Sequence, residues 1–286
     1  MSDRLAVKKT YKLFINGQFP RSESGRTFPV HGHNVSRGSR KDLREAVVAA
    51  RKAQPGWQKA TAYLRGQILY RVAEVLETRK AAFQEELQWL TGASAANARR
   101  EVEKSIDRLV WYAGWSDKYP QVFGSVNPVA APYFNFTLPE PIGVVGVIAP
   151  EEAPLLGLVS KLAPIIISGN TVVALASEAA PCTAISFAEV LATSDVPAGV
   201  VNILTGSKSE FIPVLAKHMD INAIDYSGQD AATIQLLQQE AAFTVKRILI
   251  RETPNDRAWW DDRVAQSPYW ITEATEMKTA WHPIGL

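Results

Sequence analysis

The stretch from Pro141 to Glu178 constrains the fold more than any other part of the chain. Val144 to Ile148 is short, β-branched and apolar on both faces, the pattern of a parallel strand covered by helices on either side. Pro150 and Pro154 bracket a loop, after which Leu155, Leu158, Val159, Leu162, Ile165 and Ile166 recur at helical spacing until Gly169-Asn170. Thr171 to Leu175 then restarts a strand. Parallel neighbours need a covering connection of about a dozen residues or more, which this segment supplies. The stretch reads as a right-handed βαβ unit.

The alternation continues downstream. Pro181 to Ala192 reads as a helix, Val200 to Leu204 as a strand, Phe211 to Lys217 as a short helix and Ala223 to Tyr226 as a strand. Ala231 to Ala241 is then helical, and Thr244 to Ile250 extended. Five strands alternating with helices predict an α/β, doubly wound, mostly parallel sheet of the Rossmann type. Upstream, Tyr11 to Phe19 alternates around Asn16-Gly17, a strong hairpin signal. Asp42 is placed to cap a helix whose inner face is Leu43, Ala46, Val47 and Ala50. A second helix from Tyr63 turns Leu64, Ile68, Leu69, Val72 and Val75 or Leu76 inward, a third runs to Leu90, and a fourth from Ala95 buries Val102, Ile106, Leu109, Val110 and Ala113. Val126 to Pro139, with Tyr133, Phe134 and Phe136 among prolines, reads as an exposed sheet edge. Thr253 to Pro268 is a polar stretch with room for one short helix, and Tyr269 to Trp281 reads as a final strand. The domain organisation predicted is a nucleotide-binding-type domain from 1–125 and 142–268, with strands for assembly in 126–141 and 269–286.

Of 286 residues, 47% are hydrophobic, enough for a full core. A net charge of +2, from 31 Lys and Arg against 29 Asp and Glu, gives no reason to expect nucleic acid or an anionic membrane as partner. No apolar run approaches the roughly 20 residues of a membrane span, Met1 to Thr10 has no signal-peptide core, and the single Cys182 allows no internal disulfide. The expected location is cytoplasmic.

Several residues invite chemistry and have plainer readings. Cys182, in the first turn of a helix, lacks a neighbouring histidine and reads as a structural thiol. His31 and His33 lack a second Cys/His pair at zinc spacing, so no metal site is expected. Glu151 and Glu152 read as caps or solvated charges, and Trp259, Trp260, Trp270 and Trp281 as cover for core or interface.

The motifs taken together resemble the aldehyde dehydrogenase superfamily. They include LFINGQF, EPIGVVGVIAP at Glu140 to Pro150, GNTVVALASE at Gly169 to Glu178, VPAGVVNILTG at Val196 to Gly206, VKRILIRE at Val245 to Glu252 and TEATEMKTAW at Thr272 to Trp281. The chain is similar to the second half of two-part, family-16 aldehyde dehydrogenases. In the family, the strand resembling Val245 to Glu252 ends in a general-base glutamate and leads into a catalytic domain holding a nucleophilic cysteine, before a C-terminal oligomerisation strand. Here about twenty residues separate the two, Arg251 stands in the glutamate's place, and nothing stands in the cysteine's. Glu152 replaces the asparagine that helps hold the oxyanion, and a carboxylate there repels developing negative charge.

By the same resemblance the vestigial cofactor contacts are Glu178, Ser227 and Gly228. Leu175 replaces a ribose-binding lysine, while Gln229 and Thr233 replace a small residue and a glycine of the pyrophosphate turn, so no cofactor is expected, with weak NAD as the alternative. The resemblance implies a catalytically inactive structural or regulatory subunit, forming a homo-oligomer or a hetero-complex with a full-length aldehyde dehydrogenase. The alternatives are an NAD-binding oxidoreductase component that borrows a partner's catalytic residues, and a sensor for another small molecule.

Overall fold

A computed structural model describes residues 7–251 and 258–285. Expectations that fall on Met1 to Ala6, or on Glu252 to Arg257 at the end of VKRILIRE and the start of the polar stretch, lie outside the described residues. The chain opens with β1 (Thr10–Tyr11), β2 (Thr27–Val30) and β3 (His33–Ser36), a small sheet of order β1-β3-β2 that was not anticipated. The Asn16-Gly17 turn forms as expected, with both residues at positive φ and Ile15 and Gln18 exchanging backbone hydrogen bonds. Phe14 pairs antiparallel with Ile203, so the hairpin docks on an edge of the main sheet.

Four helices follow: α1 (Arg40–Lys59), α2 (Ala62–Thr78), α3 (Lys80–Thr91) and α4 (Ala95–Ala113). Two local readings are corrected. Ser39, not Asp42, caps α1; Asp42 is the third residue of the helix and closes a capping box by accepting from the Ser39 amide. Leu64 on α2 and Val110 on α4 are exposed at 44% and 40% respectively, and Leu76 rather than Val75 is the buried member of its pair. The inner face of α2 instead carries Arg65, whose guanidinium donates to the Ile167 and Ala60 carbonyls.

After α5 (Tyr119–Phe123), the strands β4 (Ser125–Asn127) and β5 (Tyr133–Pro141) lead into the expected βαβ unit. That unit is β6 (Val144–Ile148), α6 (Pro154–Ile167) and β7 (Thr171–Leu175). The alternation continues through α7 (Pro181–Ala192), β8 (Val201–Leu204), α8 (Lys208–Lys217), β9 (Ala223–Tyr226), α9 (Ala231–Ala242) and β10 (Arg247–Ile250). The five strands are parallel in the order β10-β9-β6-β7-β8, a doubly wound sheet. Apolar clusters cover it on both faces, one built with α2, α4, α6 and α7, the other with α1 and α8. Strand order reverses between β6 and β9, and in such sheets the crevice outside the carboxyl ends of the strands at that point is the ligand site.

The tail departs from the single strand expected over Tyr269 to Trp281. A 3₁₀ turn (Ala258–Trp260), α10 (Asp262–Ala265) and α11 (Tyr269–Thr272) precede β11 (Thr275–Pro283). The described part of the preceding polar stretch is anchored in the core by Trp259, fully buried against Leu156. β11 pairs antiparallel with β5 over nine residues and β4 flanks β5 on its other side, forming the small antiparallel sheet that was expected. Tyr133, Phe134 and Phe136 lie on its central strand and not at the edge read from the sequence, because the tail supplies β11 as a further strand. Among the described residues no helix is long and apolar enough to cross a membrane.

Candidate functional site

At the switch point a cleft of about 600 Å³ opens between the ends of β6 and β9 and the start of α8. Ile148, Glu151, Glu152, Lys208, Tyr226 and Thr233 line it. Ser227 and Gly228, two of the three expected contacts, also line it. Gly228 lies close beneath Tyr226: a Cβ there would stand 2.0 Å from the Tyr226 hydroxyl, so the ring would have to shift. Glu178, the third, lies outside the cleft in a neighbouring groove with Phe28, Arg37, Gly206 and Ser207. Its carboxylate accepts the Lys208 backbone amide. Leu175, where the resemblance implies a lysine in the family, is a core residue exposed by 1%.

Lys208 crosses from α8 toward the sheet, donating to the Ala149 carbonyl and pairing with Glu151. The Glu151 carboxylate also accepts the Ser177 hydroxyl at 2.6 Å and the Ala179 amide at 3.0 Å. Burial pushes its pKa up, but Lys208 and these donors outweigh burial and leave it lowered. Glu151 is therefore held as a carboxylate that orders the loop before α7.

Below the cleft is an ionic network that sequence reasoning missed. Lys161 of α6, fully buried, donates to the Ile148 and Asp225 carbonyls at 2.9 and 3.2 Å and pairs with the Asp225 carboxylate at 2.9 Å. Arg251 donates to the other Asp225 oxygen at 2.9 and 2.7 Å and pairs with Glu273 of the tail. The guanidinium also lies 4.0 Å from the Trp270 ring centroid. Burial lowers the Lys161 pKa to about 8 in spite of Asp225. For Arg251, burial is outweighed by Asp225 and Glu273, and its pKa is raised. The signal was present in sequence as an aspartate inside an apolar strand pattern, AIDY, which demands a buried cation.

A second arginine anchors the same connection: Arg108 of α4 donates to Ser160 Oγ, the Ala265 carbonyl and Asp262. Cys182 is fully buried, and burial followed by Glu86 pushes its thiol up to about 12, the inert thiol expected. His31 and His33 flank Trp89, with ring centroids 5.6 and 5.1 Å from it. Among the described residues no group of His, Cys, Asp and Glu could hold a metal ion.

Comparison with known proteins agrees with this fold. The family model described as aldehyde dehydrogenase family matches residues 29–253. The chain is 36% identical over 264 residues to a cytosolic 10-formyltetrahydrofolate dehydrogenase from Xenopus tropicalis, covering 86% of this chain and 28% of that one. It is 32% identical over 250 residues to an omega-crystallin from Enteroctopus dofleini, covering 84% of this chain and 50% of that one. The NAD+ complex of an aldehyde dehydrogenase from Bacillus cereus superposes with a TM-score of 0.79 at 26% identity, over 85% of this chain and 51% of that one. The chain belongs to the aldehyde dehydrogenase family. It spans half or less of the curated relatives named here.

The fold implies a nicotinamide dinucleotide, and the residues at this cleft do not fit its pyrophosphate. Thr233, which lines the cleft, has its amide and hydroxyl turned to the Asp230 carboxylate at 2.8 and 2.6 Å. That carboxylate sits where an N-terminal phosphate would need free amides.

Proposed function

We propose that this chain is a non-catalytic subunit of an aldehyde dehydrogenase-type assembly, a structural or regulatory component that presents its tail sheet to a second copy or to a full-length aldehyde dehydrogenase. Arg251 carries the reading. The resemblance puts a general base at this position, at the end of β10. A guanidinium held by Asp225 and Glu273, with its pKa raised, has no basic form at neutral pH. It serves instead to tie the tail to the sheet. The one cysteine of the sequence, Cys182, is buried with a raised pKa and unsuited to attack an aldehyde.

The tail sheet supports the assembly part of the reading. Tyr133, Phe134, Leu138, Met277 and Trp281 are all exposed by 40% or more. Exposed apolar side chains along an antiparallel sheet favour a covering partner. The test combines two measurements on the purified chain: NADH production with short, long and aromatic aldehydes, and mass by light scattering alone and with a full-length family member. Expected are no turnover and a mass above the monomer in at least one condition. Turnover that tracks the protein peak, or a monomer in every mixture, overturns the reading.

A further inference from the structure

Four crossover helices, α6, α7, α8 and α9, start at the carboxyl edge of the parallel sheet. Helix starts present unsatisfied amides and partial positive charge, which is why such edges take phosphates. In this chain the starts of α6, α8 and α9 are each met by one of the protein's own carboxyl groups, and a fourth carboxylate orders the loop before α7. Glu101, projecting from α4, accepts the Leu155 and Leu156 amides of α6 at 2.9 and 3.3 Å. Glu151 accepts the Ala179 amide and the Ser177 hydroxyl, and Ser177 Oγ in turn accepts the Ala180 amide at 3.1 Å, which orders the loop leading into α7 without engaging the amides of its first turn. Glu178 accepts the Lys208 amide at the start of α8. Asp230 accepts the Thr233 amide and hydroxyl at the start of α9.

Only Asp230 belongs to the helix it caps; the others reach from α4 or from the loops after β6 and β7. The charge balance in the cleft points the same way. Among the described residues Lys208 is the one cation lining the cleft, and it is engaged by Glu151 and the Ala149 carbonyl, while Glu152 adds a second lining carboxylate.

We infer that the switch-point cleft is closed to pyrophosphate-bearing ligands, NAD included, because the chain's own carboxyl groups occupy the helix starts where phosphate oxygens would bind. A dianionic bridge entering here meets Glu152 and the Glu151–Lys208 pair, and finds the Thr233 amide of α9 already engaged by Asp230. The protein's own carboxyl groups complement the dipoles of α6, α8 and α9 without any ligand. The inference does not depend on what covers the tail sheet. A chain that binds no dinucleotide is compatible with any partner.

The experiment is calorimetry on the intact chain with inorganic pyrophosphate, ADP, NAD and adenosine, comparing wild type with Asp230→Ser and with Asp230→Ser/Glu178→Gln. Serine keeps an N-cap acceptor, so α9 retains its start while losing the charge. Thermal melting of each variant checks that the fold survives. Wild type should show no saturable binding of pyrophosphate, ADP or NAD at millimolar concentration. Asp230→Ser should gain pyrophosphate and ADP affinity by about tenfold or more, the double variant more still, with adenosine unchanged. Submillimolar NAD or ADP binding by wild type overturns the inference. So does an unchanged phosphate affinity in folded variants, or a gain for adenosine equal to that for ADP, which would assign the effect to space rather than charge.

Discussion

The parallel sheet and the tail sheet are built from the same kind of strand and live in opposite surroundings. Every residue of β6 and β7 is buried, because α6 and its neighbours cover one face and α1 and α8 the other. In β11 only Thr275 is buried, although its nine-residue register with β5 is the longest in the molecule. Backbone pairing therefore does not separate the two sheets; the crossover helices do. The parallel sheet draws its stability from apolar area removed from water, about 25 cal/mol per Å². The tail sheet leaves most of its apolar area available to something else.

The comparison breaks most sharply at the network that joins the two sheets. Asp225→Ala would leave Lys161 and Arg251 as buried cations without their shared carboxylate. Removing one partner of a buried pair costs about 3 to 5 kcal/mol. The urea midpoint should fall accordingly, and Arg251 would be left holding the tail through Glu273 and Trp270 with no partner on β9. A loss below about 1 kcal/mol would mean that the network contributes little and the sheets are independent.

Matched truncations test burial directly. Leu158→Ala in α6, at a fully buried position, should cost about 2 to 5 kcal/mol, whereas Leu138→Ala in β5, exposed by 43%, should cost about 0.5 kcal/mol or less in the monomer. Equal costs in denaturant titrations would show that the tail sheet is covered in solution even before a partner is added.

A pH titration sharpens the same contrast. Lys246 precedes β10, donates to the Ala216 and His218 carbonyls at 2.8 Å, and burial lowers its pKa to about 8. Its unfolded value is about 10.4, so between pH 8 and that value the unfolded chain holds the proton that the folded chain has released. Stability contributed by this site therefore rises with pH across the window, and below pH 8 the buried charge costs its full amount. Lys161, also lowered to about 8, titrates in the same window, so the informative quantity is the difference between wild type and Lys246→Met. The variant should flatten the rise by on the order of 1 kcal/mol. An identical slope in both proteins would assign the whole effect to Lys161.

These sites also show what the sequence could and could not convey. β7, α7 and β9 were readable to the residue, because apolar runs between turn signals carry their own boundaries. Leu64 and Val110 misled, since helical spacing alone does not say which neighbouring helix covers a face. Glu178 was named by resemblance as a cofactor contact, but it lies outside the cleft, and its acceptance of the Lys208 amide spans 30 residues and has no local signature. Glu101 was missed for the same reason, its amides lying 54 and 55 residues downstream. Short-range patterns report backbone state; the cleft is made of long-range contacts between loop ends.

The smallest effect on stability should come from the outer face of the tail sheet, and it carries the most about function. Trp281 is 59% exposed and meets Tyr133 edge-on, with ring centroids 5.8 Å apart. Such cross-strand contacts contribute roughly 0.2 to 1 kcal/mol, so Trp281→Ser should barely move the melting temperature of the isolated chain. If this face is where the chain meets a second copy or a full-length aldehyde dehydrogenase, the substitution removes an anchoring aromatic from the interface. An aromatic hot spot costs about 2 kcal/mol or more when truncated, a loss of thirtyfold or greater in affinity. Light scattering across a dilution series should then show dissociation at correspondingly higher concentration, with melting unchanged. A variant that keeps its assembled mass at every dilution would place the interface elsewhere, and the exposed aromatics of β5 and β11 would need a different explanation.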